Sequence, residues 1–261
     1  MKKTLQILNG VALVATIFIN YLSNTGAVNG KTIGEVSAGL QTLFTPAAYA
    51  FSIWGFIYLL LIGFAFYQGR SLFTSNTTSD DVVLKIGWWF IISCIANSAW
   101  VFLWIYGATG ASCVVILILL WSLMQIVFRC NLKLEPHSFT KSLLTSTPFI
   151  VYAGWVSVAS VVNISTYLVK INWDGFGIPS ATWAIIMIVV AMLINILAVY
   201  KRNLWEFALV GAWALLAIGV RNNQTSENVS IMAYIGAIVL LLYCIYHAYS
   251  RHQQQNSENK E

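Results

Sequence analysis

The side chains of this sequence that could do chemistry are few, and their absences narrow the choice. The three histidines, His137, His247 and His252, fall in connections or near the end of an apolar run, so none is placed at mid-membrane as an axial haem ligand. Cys94, Cys113, Cys130 and Cys244 lie in or beside apolar runs with no CxxC or metal-type spacing, and read as buried small residues. No nucleophile–base pair stands out. What remains is recognition by ring stacking and amide hydrogen bonds. Asn97, Trp100 and Trp104 fall within about 60° of one another on a helical wheel. Tyr152, Trp155, Ala159 and Asn163 share a face roughly 80° wide, and Trp54 and Tyr58 are one turn apart. An asparagine inside an apolar helix avoids lipid and seeks a partner or a cavity, so Asn97 and Asn163 mark the inward faces. Helix–helix packing with hydrogen-bonded asparagines and an aromatic-lined binding cavity both fit these positions.

The elements that carry these residues are membrane spans. Of 261 residues, 59% are hydrophobic and 9% charged, against about a quarter charged in soluble domains. Such a chain cannot clothe itself for water. Its net charge of +5 comes from cations scattered singly between apolar runs, which excludes a nucleic-acid face. Spans of about 20 apolar residues are expected at 4–22, 50–68, 84–106, 111–129, 143–168, 181–200, 205–220 and 229–250, the seventh being short. The fold class is all-α, a polytopic bundle of about eight transmembrane helices. Glycine-, asparagine- and proline-containing stretches such as "TSNTTSDD", "NLKLEPHS" and "NWDGFGIPS" separate them, and a polar tail covers 251–261. The first run is longer than a signal core and lacks a cleavage site, so it reads as a retained helix.

Charge orients the chain. With both termini on one side, Lys2, Lys3, Arg70, Lys85, Arg129, Lys133, Lys141, Lys201, Arg202, Arg251 and Lys260 share that side, and Lys31, Lys170 and Arg221 lie opposite. The positive-inside rule makes the first side cytoplasmic. No charged residue lies deep in a span, which argues against ion-coupled transport and leaves a carrier for neutral solutes open. Among the 11 tryptophans, an interfacial belt explains Trp88, Trp89, Trp173, Trp183 and Trp205, and explains Trp121, Trp155 and Trp213 badly because they fall near mid-span.

The same residues carry a family resemblance. The third span, "ANSAWVFLWIYG", keeps Asn97, Trp100 and Leu103 of a Leu-Asn-x-x-Trp-x-x-Leu-Phe-Phe pattern, with Trp104 in the first Phe position. The fifth, "VYAGWVSVASVVN", keeps Tyr152, Trp155, Ala159 and Asn163 of Pro-Tyr-x-x-Trp-x-x-x-Ala-x-x-Leu-Asn. The second keeps Pro46, Trp54 and Tyr58. Residues 1–168 thus resemble the TspO/MBR family of tryptophan-rich sensory and translocator proteins. The resemblance implies a five-helix membrane domain over 1–168, followed by a three-helix extension over 169–250. It implies an apolar ligand, tetrapyrrole-, sterol- or isoprenoid-like, held by Trp54, Tyr58, Asn97, Trp100, Trp104, Tyr152, Trp155 and Ala159. It requires no cofactor and leaves room for a bound tetrapyrrole without histidine ligation, and for a homodimer. It also implies a bacterial inner (cell) membrane as the location. Leu43, Thr45 and Val151 depart from the family pattern, so the loop before the second span is altered. Two further readings stay open: a carrier of a small neutral or amphipathic solute, and an enzyme acting on a lipophilic pigment.

Overall fold

A computed structural model of the chain describes residues 1–39, 42–73, 80–134 and 138–258. His137 and Lys260, and most of "TSNTTSDD", lie outside the described residues. Every regular element among the described residues is helical. In chain order these are α1 (Lys2–Asn24), α2 (Ile33–Gly39), α3 (Ile53–Gly69), α4 (Asp80–Ile86), α5 (Trp89–Ile105), α6 (Thr109–Arg129), α7 (Phe139–Thr145), α8 (Thr147–Lys170), α9 (Ser180–Arg202), α10 (Trp205–Asn222) and α11 (Glu227–Glu258). A 3-10 turn, Ala48–Ser52, leads into α3.

Among the described residues, six helical segments are long and apolar enough to cross a bilayer: Lys2–Asn24, Ala48–Leu72, Thr109–Arg129, Thr147–Lys170, Ser180–Arg202 and Glu227–Arg251. The chain is a polytopic helical membrane protein, but the expected count of eight spans is not reached on length and apolarity. The third expected span, 84–106, is broken at Gly87, whose φ of +56° is left-handed and ends α4. The remainder, α5, is a shorter apolar helix. The seventh, α10, carries Glu206 in its first turn and Arg221 in its last, which lowers its apolarity.

Local signals set the helix ends. Thr32 and Glu35 form a capping box at the start of α2: the Glu35 N–H donates to Thr32 Oγ1 at 3.1 Å and the Thr32 N–H donates to a Glu35 carboxylate oxygen at 2.7 Å. Pro148 sits in the first turn of α8, where its missing N–H costs nothing. Asn203 ends α9 with φ +57°.

The chain forms two compact units: residues 1–42 with 51–173, and residues 43–50 with 174–261. In the first, α8 is the central helix. Of its apolar span, 72% is buried, against 22–44% for the other five candidates. Phe64 of α3, Phe90 of α5 and Phe149 of α8 meet edge to face at 4.8–5.7 Å between centroids, all fully buried. In the second unit α10 packs on α11 and α9. The segment 43–50 is tied to α10 by three hydrogen bonds: Asn222 Nδ2 to Leu43 O, Ala47 N to Ala217 O, and Trp213 Nε1 to Ala50 O.

Candidate functional site

All eight residues singled out by the sequence belong to the first unit. Lipid supplies no hydrophobic drive between helices, so packing and hydrogen bonds must hold them together. Two polar relays do this around α8. In the first, Asn20 Nδ2 of α1 donates to Asn97 Oδ1 of α5 at 2.7 Å, and Asn97 Nδ2 donates to Tyr152 Oη of α8 at 2.9 Å. In the second, Trp100 Nε1 of α5 donates to Asn163 Oδ1 of α8 at 2.7 Å, and Asn163 Nδ2 donates to Ser112 Oγ of α6 at 2.9 Å. All of these side chains are buried. Asn97 therefore fixes the height and tilt of Tyr152, and Asn163 does the same for Trp100.

The rings gather on these relays. Trp54 stacks on Tyr58 at 5.8 Å and meets Tyr152 and Trp155 edge-on at 5.7 and 6.5 Å. Phe51 adds a further edge contact to Trp155 at 5.8 Å. Trp100 and Trp104 stack at 5.7 Å. Trp155, Tyr152, Trp100 and Trp104 are buried, whereas Trp54, Tyr58 and Ala159 are half-buried. Ala159 lies one turn beyond Trp155 on α8.

Three polar atoms in these two ring groups are buried without a hydrogen-bond partner: Tyr58 Oη and Trp155 Nε1 in the group around Trp54, and Trp104 Nε1 in the Trp100–Trp104 pair. Two of them belong to rings that touch Trp54. An indole N–H can only donate, so Trp104 and Trp155 each need an acceptor, and a buried donor left unmade costs about 1–3 kcal/mol.

The structure separates Trp155 from Trp121, which the sequence grouped together as poor belt residues. Trp121 is 61% exposed on the outer side of α6 and Trp155 is 2% exposed. Trp88 and Trp205 are exposed near helix ends, as belt residues are. Sequence reasoning missed Asn20, Ser112 and Phe51. Asn20 had a signal: Gln6, Asn9, Thr16 and Asn20 recur at helical spacing along α1, and all four are buried. Ser112 had none, because one serine in an apolar helix is commonplace.

Among the described residues no group of three or more His, Cys, Asp or Glu is arranged to hold a metal ion. The four cysteines are free, with Cys113 half-buried and the other three buried. The arrangement offers flat apolar contacts, hydrogen-bond donors, and helices fixed by relays.

No curated protein and no solved structure matches the chain. A family model described as "TSPO-like protein" matches residues 6–246, which takes in α9, α10 and most of α11 as well as the first unit. With nearly its whole length covered, and with Asn97, Trp100, Tyr152 and Trp155 buried on facing helices, the chain belongs to the TSPO-like protein family.

Proposed function

We propose that this membrane protein binds a flat apolar ligand, tetrapyrrole-, sterol- or isoprenoid-like, at the aromatic cluster of α3, α5 and α8. The observation that carries the reading is the set of buried, unpartnered groups, Tyr58 Oη, Trp104 Nε1 and Trp155 Nε1, among stacked rings. A ligand bearing carbonyl, carboxylate or imine acceptors would complete them, and its rings would stack on Trp54 and Trp100. Half-buried Trp54 and Tyr58 form the side of the cluster a guest meets first. Asn97 uses both ends of its amide inside the protein, so its part is to hold Tyr152 in place. Binding needs no resident cofactor, and a bound tetrapyrrole would be held without histidine. With the eight-span reading, the cation asymmetry would put both termini in the cytoplasm, in keeping with a bacterial inner membrane.

The test uses protoporphyrin IX as probe and intrinsic tryptophan fluorescence as readout on the purified chain. Wild type should quench saturably. Tyr58→Phe removes one donor and keeps the ring, so it should weaken binding about three- to tenfold, the worth of one net hydrogen bond, and Trp155→Phe, which also loses ring area, should weaken it at least as much. Tyr58→Phe loses no existing bond, so its thermal stability should stay close to wild type, whereas Trp155→Phe leaves a cavity at a buried site and should melt lower. Superimposable titrations for all three proteins would defeat the proposal.

A further inference from the structure

A second feature of the first unit lies away from the aromatic cluster. An open groove of about 780 Å³ runs between α1 and α3, and none of the eight candidate ligand residues lines it. Its α1 wall includes Gln6, Gly10, Val14 and Phe18; Phe66 and Arg70 stand on the α3 side. Val14, Phe18 and Phe66 are exposed there, the last at 76%. The volume falls within the range of about 300–1,000 Å³ seen for small-molecule sites.

The groove has a length and a polarity. From Gln6 to Phe18 the α1 axis advances about 18 Å at 1.5 Å per residue. One leaflet contributes about 15 Å, half of the 30 Å hydrocarbon core. The groove is therefore about one leaflet deep. Its Phe18 end is apolar, and its other end is basic. Arg70 stands at the rim with its guanidinium 4.4 Å from the Tyr67 ring centroid. Lys3 is exposed one turn before Ile7, on the face of α1 that lines the groove. Beside them, Gln6 is 3% exposed. Its Nε2 donates to Gln68 O and Ser71 Oγ, and its Oε1 has no partner. An acyl chain leading to a phosphate matches grease followed by two cations, and a headgroup hydroxyl folded back beside the phosphate reaches the acceptor on Gln6.

We propose that the α1–α3 groove is a specific site for an anionic phospholipid. One acyl chain lies along Gly10, Val14 and Phe18, the phosphate sits between Lys3 and Arg70, and a headgroup hydroxyl donates to Gln6 Oε1. The lipid comes from the leaflet on the side of the N-terminus.

The test is native mass spectrometry of the full chain with equal amounts of dioleoyl phosphatidylglycerol and dioleoyl phosphatidylcholine. Wild type should retain one phosphatidylglycerol per chain, favoured at least threefold over phosphatidylcholine. The double variant Lys3→Gln/Arg70→Gln should lose that preference and keep phosphatidylcholine retention. Gly10→Leu should lower retention of both lipids, because a Cβ at Gly10 meets no atom within 4 Å and the added side chain fills the groove without a clash. Leucine also favours the helix over glycine. Ala65→Leu, on the facing wall, is a second blocking variant. Unchanged porphyrin quenching in both blocking variants would show that they are folded and that the aromatic site is separate. Equal retention of the two lipids by wild type, meaning bulk annular lipid only, overturns the proposal. So does wild-type phosphatidylglycerol retention in both blocking variants.

Discussion

In the first unit, side chains cross between helices to make hydrogen bonds; in the second, glycines bring the helices themselves together. Gly211 of α10 lies under the Asn195 carboxamide of α9, and Gly219 of α10 lies under the Tyr234 ring of α11. A Cβ there would stand 2.5 Å from Asn195 Oδ1 and 2.6 Å from Tyr234 Cε1. Gly236 of α11 is also close-packed, with Leu215 Cδ1 3.0 Å from where its Cβ would be. Ala208, Ala212, Ala214 and Ala217 of α10 are all buried. This small-residue mode lets backbones approach and needs few polar atoms. The relay mode of α1, α5, α6 and α8 holds large rings apart at set heights and leaves donors over. The contrast explains why the ligand reading falls on the first unit: there the unpartnered groups sit on large stacked rings, whereas in the second the unpartnered Asn195 Oδ1 is pressed against Gly211.

The sharpest way to break this contrast is to enlarge the glycines. Gly211→Ala and Gly219→Ala should each destabilise the protein by about 1–3 kcal/mol, the usual cost of overpacking. The pair should cost nearly the sum if the two sites relax independently. Thermal melts in detergent measure this, with porphyrin quenching at low temperature as a second readout. Wild-type melting of the double variant would show that Asn195 and Tyr234 swing aside freely, and the close-packed account of the second unit would be wrong.

The relays should respond less. Asn163→Ala strands Trp100 Nε1, and Asn97→Ala strands Tyr152 Oη without its donor. Hydrogen bonds between membrane helices average about 0.6 kcal/mol and reach about 1–2, so each change should cost about 1 kcal/mol. In contrast to the glycine variants, both should also weaken porphyrin binding, because they release the rings they hold. Trp100→Phe adds the cost of a cavity, so the test is a double-mutant cycle: Asn163→Ala and Trp100→Phe together should cost less than the sum of the two single variants. Strictly additive costs would show that the indole–amide bond is not what Asn163 contributes.

How much of this could be read in advance depended on the scale of the signal. Spans are written in runs of about 20 residues, so α1, α3, α6, α8, α9 and α11 were legible from hydropathy. Asn97 and Asn163 marked inward faces because an amide in lipid is costly wherever it lies, and both are buried. Their partners were not legible. Nothing in a helical wheel says that Asn97 meets Asn20 of α1, 77 residues away, since interhelical pairing is set by which helices neighbour which. Mid-span position did not say which way Trp121 faces for a related reason: depth in the membrane and facing toward protein are independent coordinates, and sequence position reports only the first. The break at Gly87 depended on one backbone angle, which glycine permits without requiring.

The smallest expected effect lies outside the spans, at the capping box of α2. The Thr32 N–H first, and the Thr32 hydroxyl next, hold the Glu35 carboxyl below its usual range. A lowered pKa in the folded state means that the charged form is favoured by folding. That contribution is complete above the unfolded carboxylate value of about 4.3. It fades as pH falls from there through the lower folded value, where the cap loses its charge. Glu35 is fully exposed, so the change should be confined to α2 and its first turn and leave global melting untouched. Amide exchange corrected for intrinsic rates should show protection in α2 of wild type falling below pH 4.3 while α5 and α8 stay constant. Glu35→Gln keeps a carbonyl acceptor for the Thr32 N–H and removes the titration, so its α2 protection should be slightly lower and flat with pH. A pH-dependent loss of the same size in Glu35→Gln would place the titrating group elsewhere. It would also remove a feature of this extramembrane segment that depends on charge rather than on packing.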